Sequence, residues 1–262
     1  MTEIQHSAIR NIYIKRDDLF SIAGVNGGKV RSCFYLATHP DVPKGLVTAG
    51  ARSSPQANIV ARLARHLGIP CRIHMPSGEM SEQGLLAQEA GAEIIQHRAG
   101  YNSVIVKRAR DDALRLGWRE IPFGMECWEA VNETAKEVEP DFQYRFRRIV
   151  IPVGSGMSLC GVLTGLRDTH QAIPVLGVIV GASPLKRLNK YAPMNWQNQV
   201  TLVNSGFTYH TKAKDCYIGD IELDSIYEAK CLRFLTSGDL LWVVGSRNKR
   251  FRNESNSKES MA

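Results

Sequence analysis

Arg148-Ile-Val-Ile-Pro-Val153 is the stretch that most restricts what this chain can fold into. It is apolar at nearly every position, so a strand built from it has no face to give to water. Such strands sit in parallel sheets with helices packed on both sides. Gly154-Ser-Gly-Met-Ser158 follows directly, and the apolar residues of 159–166 then recur at helical spacing. A buried strand that runs through small residues into a helix leaves the helix's first N–H groups, and the positive end of its dipole, facing the space beyond the strand. Glycines there let an anion such as a phosphate approach the backbone. Gly-x-Gly turns are common, so the turn alone assigns no ligand.

The rest of the chain repeats this rhythm. Residues 45–50 read as a short strand ending in glycine, and 56–67 carry Ala57, Ile59, Val60, Leu63, Ala64 and Leu67 on one helical stripe. Strands at 71–75, 93–96 and 175–180 alternate with helices at 83–90, 102–116 and 127–138. The alternation predicts a doubly wound α/β architecture. There is no internal repeat, and only the polar tail 249–262 reads as disordered.

Near the N-terminus Ile12 and Ile14 alternate with Tyr13 and Lys15, as in a half-buried strand. Gly24, Gly27 and Gly28 then make a turn, and Cys33, Phe34, Leu36 and Ala37 restart a helical pattern. Lys29 therefore stands on a turn into a helix. The helix N-terminus, with Arg31 nearby, favours the neutral amine of such a lysine. Neutral amines attack aldehydes.

Composition narrows the class. The chain has 262 residues, room for one or two domains, and 44% hydrophobic content suits a globular protein. It has no apolar run of about 18 residues and no apolar segment in the first ten, so neither a membrane span nor a secretory signal is expected. The six cysteines (Cys33, Cys71, Cys127, Cys160, Cys216, Cys231) form no Cys-x-x-Cys pair and read as the reduced thiols of a cytoplasmic protein. A net charge of +7 gathers partly at Arg145, Arg147 and Arg148 and partly at Arg247, Lys249, Arg250 and Arg252. Solvated faces with a basic tail explain it; so would an anionic macromolecule such as nucleic acid.

Lys15-Arg-Asp-Asp18 followed by Gly27-Gly-Lys-Val-Arg31 resembles the N-terminal signature of fold-type II pyridoxal-phosphate (PLP) enzymes, in particular the 1-aminocyclopropane-1-carboxylate deaminase and D-cysteine desulfhydrase group. The resemblance implies a tryptophan synthase β-like fold of open, mostly parallel sheets with helices on both faces. It implies a larger PLP-binding domain from residues 1–42 and 139–248, a smaller α/β domain from 43–138, and a homodimer. It makes Lys29 the lysine that forms the Schiff base with PLP. The family has Asn directly before this lysine; here Gly28 is there, and Asn26 stands three before.

Three further segments carry the resemblance. Gly154, Ser155, Gly156, Met157 and Ser158 are similar to the Gly-Ser-Gly-Gly-Thr loop that grips the PLP phosphate, with Met157 in place of a glycine and Ser158 of threonine. Thr48-Ala-Gly-Ala-Arg-Ser-Ser-Pro-Gln-Ala57 is similar to Thr-x-Gly-Gly-x-x-Ser-Asn-His, which makes Ser54 the residue facing the substrate carboxylate. Pro55 and Gln56 replace Asn-His, and proline has no side-chain donor, so the cofactor's 3′-oxygen falls to Asn26 or Gln56. Read without the family, Ser53 and Ser54 are helix N-caps. Ile221-Glu-Leu-Asp-Ser-Ile-Tyr-Glu-Ala-Lys230 is close to Asp-Pro-Val-Tyr-Glu-Gly-Lys, which places Tyr227 at the active face and Glu228 at the pyridine nitrogen. The strand 240–244 ends in Gly245-Ser246, where Ser246 is a stand-in for a family hydroxyl; the segment 181–219 is shorter than the family's and matches nothing in it.

These residues imply a PLP-dependent lyase, deaminase or amino-acid transferase acting at Cα or Cβ of an amino acid. Two other readings stay open. In one, the amino acid is attached to or processed on a nucleic-acid base, as in viral DNA hypermodification, which the basic charge and the short 181–219 segment would suit. In the other, Pro55 marks a degenerate, non-catalytic PLP-binding protein.

Overall fold

The computed structural model describes residues 1–98 and 100–245. Ser246, the basic residues from Arg247 onward and the tail 249–262 lie outside the described residues. In chain order the first strands are β1 (Ile4–Ser7), β2 (Ile12–Arg16), β3 (Ser21–Ile22) and β4 (Val25–Asn26), followed by helix α1 (Gly28–Thr38). Next come β5 (Leu46–Ala49), α2 (Gln56–His66), β6 (Cys71–Pro76), α3 (Glu82–Glu89), β7 (Glu93–His97), α4 (Asn102–Leu116) and β8 (Arg119–Ile121). Two helices, α5 (Trp128–Ala135) and α6 (Phe142–Arg145), lead to β9 (Arg148–Val153), α7 (Met157–Asp168), β10 (Val175–Ile179) and α8 (Leu185–Tyr191). The described chain closes with β11 (Val200–Asn204), the hairpin β12 (Tyr217–Ile218) and β13 (Ile221–Glu222), a 3-10 segment Glu228–Phe234, and β14 (Asp239–Val243).

The strands form two main sheets. A six-stranded sheet has the order β1-β2-β14-β9-β10-β11, parallel throughout except for β1 at its edge. A four-stranded parallel sheet has the order β7-β6-β5-β8. The expected α/β class, open mostly parallel sheets with helices, is the one found. In β9 every residue from Ile149 to Val153 is buried. Ile149, Ile151 and Val153 pack in a cluster with Leu159 and Leu163 of α7, while Val150 packs in another with Cys231 and Leu232 of the 3-10 segment. Alternate side chains of one strand thus enter two cores, which is why the run had to be apolar throughout.

Trp242 of β14 anchors the first of these cores. It is fully buried, meets Phe142 edge-on at 6.3 Å, and donates its indole N–H to Asp17 Oδ2 at 3.0 Å. Trp242→Ala should cost about 3–5 kcal/mol of unfolding free energy, from lost packing and the cavity left behind. Urea denaturation reads this directly; a loss below about 1 kcal/mol would mean the core collapses around the gap.

Several local expectations are corrected. Lys15, expected on the wet side of a half-buried strand, is fully buried: it pairs with Glu137 at 3.3 Å and Glu139 at 3.5 Å, and donates to Thr2 O at 2.6 Å. The three-residue strand β8 gives no periodic signal, and β11 adds a parallel strand beside β10 inside the unmatched segment. Helix α7 starts at Met157 rather than after Ser158, and α5 is shorter than the pattern at 127–138.

Much of the basic charge is answered. Arg145 pairs with Glu139 at 2.9 Å and Asp141 at 3.5 Å, Arg148 pairs with Asp239 at 2.9 Å, and Arg147 donates to Thr236 Oγ1 at 3.0 Å. That cluster ties β9 and its neighbours together rather than presenting a bare basic face. All six cysteines are free, and burial pushes the thiols of Cys33, Cys71 and Cys160 up to about 12, which makes them poor nucleophiles. No helix among the described residues is long and apolar enough to cross a membrane.

Candidate active site

Beyond the carboxyl ends of β9 and β14 three pieces of backbone converge. Gly27, with φ +110°, turns the chain into α1; a Cβ there would stand 2.8 Å from Gly245 Cα and 3.0 Å from Val244 O. Only glycine allows that crossing. Gly28 N–H donates to Val244 O at 3.0 Å, which pins the turn carrying Lys29 to the end of β14. Val244 uses its other backbone group too: its N–H donates to Glu228 Oε1 at 2.9 Å. One residue after β14 therefore positions both the lysine turn and the glutamate.

Between these pieces lies a pocket of about 90 Å³ whose lining includes Asn26, Lys29, the loop residues Gly154, Ser155, Gly156 and Ser158, and Tyr227, Glu228, Asp224 and Pro55. Gly154 permits its tightest approach, because a Cβ there would lie 2.8 Å from the Tyr227 ring and 2.9 Å from its hydroxyl. Gly156 enters α7 with φ +94°, and the helix, 12 residues long, begins at the pocket wall. The first N–H groups of a helix have no partner within it, and together with the dipole they make this wall attractive to an anion.

Glu228 is fully buried, and its Oε2 has no hydrogen-bond partner among the described residues. Burial first, and then the charge of Asp224, push its carboxyl well above the usual carboxylate range. A buried carboxyl oxygen left without a partner costs about 1–3 kcal/mol. Such a group calls for a ligand atom that can share its proton.

The other expected residues fall in different places. Ser54 lines a larger groove that the pocket opens into and that Lys29 and Tyr227 also line. Its Oγ accepts the Gln56 N–H at 3.3 Å, so it serves the start of α2 as well. Met157 packs its side chain into the core behind the loop, leaving its backbone N–H, which donates to Ser155 Oγ at 3.5 Å. Gln56 does not line the pocket. Its amide donates to Thr48 Oγ1 at 2.9 Å and Pro122 O at 2.8 Å and accepts the Gly124 N–H at 3.0 Å, so it ties α2 to β5 and to the turn after β8. Asn26 is thus the pocket-lining member of the pair offered for the 3′-oxygen. Arg31 is also corrected: it pairs with Asp17 at 3.0 Å and Glu137 at 3.3 Å, so its charge is compensated and the end of α1 remains as the positive influence on Lys29.

Nothing in the sequence singles out Tyr209. Its hydroxyl lies 3.2 Å from that of Tyr227, with the two rings perpendicular and 5.9 Å apart. It sits in the segment 181–219, which carries no family motif, and residue type alone does not distinguish it.

A family model described as pyridoxal-phosphate dependent enzyme matches residues 2–214. Among curated proteins, a 1-aminocyclopropane-1-carboxylate deaminase of Ralstonia nicotianae is 27% identical over 66% of this chain and 58% of its own. An L-threonine ammonia-lyase of Geobacter sulfurreducens is 26% identical over 60% of this chain and 39% of its own. The chain spans 58% of the length of the first of these relatives. A crystal structure of an ACC deaminase homologue superposes with a TM-score of 0.78 at 23% identity, covering 93% of this chain and 89% of that one. A crystal structure of a T.th. threonine deaminase does so with 0.68 at 16% identity, covering 96% and 94%. At these identities the two structures speak for the fold.

Proposed function

The chain belongs to the pyridoxal-phosphate dependent enzymes, and from that premise we propose that it breaks a bond at Cα or Cβ of an amino acid, as a lyase of the deaminating kind. One observation carries this reading: the Lys29 side chain, the N-terminus of α7 and the partnerless Oε2 of Glu228 meet in one pocket. The donors fit the cofactor. The loop 154–158 would take its phosphate, Lys29 its aldehyde carbon, Asn26 its ring oxygen and Glu228 its ring nitrogen. When bound, PLP supplies an aldehyde that takes up the substrate's amino group and a ring that draws off electrons as the bond breaks.

The chain's own residues do the rest. The Glu228 carboxyl, pushed toward its protonated form by burial, lines the pocket where a proton can be shared with a basic nitrogen. The Lys29 amine takes the proton from Cα or returns it. Ser54 donates its O–H to the substrate carboxylate. The Tyr227 hydroxyl, backed by Tyr209 at 3.2 Å, moves a proton at Cβ or at the leaving group.

The test is a panel of D- and L-amino acids, with 1-aminocyclopropane-1-carboxylate and threonine among them, assayed for ammonia and 2-oxo acid. At least one should be consumed in a Lys29-dependent way. Consumption of none sinks the lyase reading and leaves a PLP-binding protein without catalysis, the outcome that Pro55 would favour. Tyr227→Phe should lower turnover about 100-fold, the lower end of what a positioned proton donor contributes. Tyr209→Phe should cost less, since it acts through Tyr227. Wild-type turnover by the Tyr227 variant would show that proton transfer lies elsewhere.

A further inference from the structure

The pocket opens into a groove of about 1250 Å³. Sites for small molecules usually enclose about 300–1,000 Å³, so an unadorned amino acid would leave much of this one empty. The groove is also lopsided in charge: beyond Lys29, the cations Arg52, Lys107, Arg110, Arg187 and Lys190 line it against the carboxylates Glu120 and Glu126. Three of the cations are answered, Arg110 by Glu120 at 3.1 Å, Arg187 by Glu126 at 2.8 Å and Lys107 by Asp111 at 2.7 Å. Arg52 and Lys190 form no ion pair among the described residues.

These two cations face the groove from different parts of the fold. Arg52 stands on the loop after β5, two residues before Ser54, and spends one N–H on Ser77 O at 2.9 Å, which fixes the guanidinium without neutralising it. Lys190 lies near the end of α8, 4.6 Å over the ring of Tyr191, in the segment that matches no family motif. Neither lines the inner pocket, whose anion seat is the start of α7. They are therefore surplus to the cofactor's own phosphate. Charges of one sign in a protein-walled cleft draw and hold the opposite charge, and a guanidinium fork suits the oxygens of a phosphate.

We infer that the substrate is an amino acid bearing a second, strongly anionic group such as a phosphate ester, held by Arg52 and Lys190 while its amino end is presented to Lys29. The inference rests on the reading of Lys29 given above. The phosphate can belong to a small phosphorylated amino acid or to a nucleotide joined to one; both present the same oxygens, and the groove has room for either.

The test uses PLP-loaded protein reduced with borohydride, which blocks Lys29 and keeps the cofactor's phosphate in its own seat. Mass spectrometry first scores the label on Lys29, and its absence overturns both this inference and the reading it rests on. On labelled protein, calorimetry compares serine, O-phosphoserine of either hand, and adenosine 5′-monophosphate. O-Phosphoserine should bind about 10-fold more tightly than serine, the worth of two partly exposed ion pairs. The preference should shrink with added salt. Arg52→Gln combined with Lys190→Gln should erase it while serine binding and Lys29 labelling stay as they were. Binding of the nucleotide as well points to the nucleotide-borne phosphate; binding of O-phosphoserine alone points to the small one. Equal affinity for serine and O-phosphoserine, or a preference that survives the double variant, overturns the charge assignment alone.

Discussion

Borohydride treatment of the PLP-loaded protein should add one pyridoxyl-phosphate mass to Lys29 and to no other lysine. The pocket that holds Glu228 and the start of α7 contains Lys29 as its only lysine among the described residues. The two deeply buried lysines among the described residues are committed elsewhere. Lys15 is held by Glu137 at 3.3 Å and Thr2 O at 2.6 Å, and Lys230 donates to Thr208 O at 3.0 Å and Tyr209 O at 3.2 Å. Lys29→Ala should lose the label and reduce turnover about 1,000-fold or more, because one side chain is asked both to hold the cofactor and to move the Cα proton. The variant should keep its fold, since Gly27 and Gly28 carry the turn through their backbone contacts to Val244 and Gly245. A label on a different lysine, or none, removes the proposed function altogether.

Glu228→Gln should separate binding from chemistry. The amide is the same shape as the neutral carboxyl and can still accept the Val244 N–H that Oε1 accepts at 2.9 Å. It has no proton to hand to a ring nitrogen. Cofactor binding and Lys29 labelling should therefore persist, while turnover falls about 100-fold, the scale of removing one preorganised electrostatic partner. Turnover at the wild-type rate would place a different residue at the ring nitrogen.

The same substitution has a pH signature in the cofactor-free protein. The folded-state pKa of Glu228 is raised by burial above its unfolded value. Below the unfolded value both states are protonated and the stability contribution is whole. As pH rises past it, the unfolded chain loses the proton and the folded one keeps it, so stability drains away until the folded pKa is reached. Gln cannot ionise. Relative to the parent, the variant should thus gain stability with rising pH, by up to about 1.4 kcal/mol per unit. A parent-minus-variant difference that stays flat from about pH 4 to 8, the span above the ordinary glutamate value, would mean that Glu228 ionises freely in the folded chain.

Short-range features were open to reading in the sequence. The apolar run of β9, the small residues at its end and the restart of helical spacing placed an anion-attracting turn within two residues of where α7 begins. The glycines before Lys29 placed that lysine at the head of α1. Both follow from patterns that repeat every two or 3.6 residues and from the backbone freedom of glycine, which act within a few positions of the chain. Motif resemblance extended this to Glu228, whose spacing from any other site residue says nothing about proximity.

Patterns local to the chain carry the α/β rhythm, the lysine at a helix start and the small-residue turn before α7. Which side chains are left available for chemistry follows instead from contacts across the fold. Gln56 looked available until Pro122 and Gly124, more than 60 positions away, took up its amide. Arg31 looked like a source of positive potential until Asp17 and Glu137 answered its charge. Tyr209 became visible only against Tyr227, and the turn carrying Lys29 and the Glu228 carboxyl share the backbone of Val244 as a common anchor. The reason is physical: local propensity depends on neighbours in the chain, whereas the burial, charge and hydrogen bonding of a side chain depend on neighbours in space.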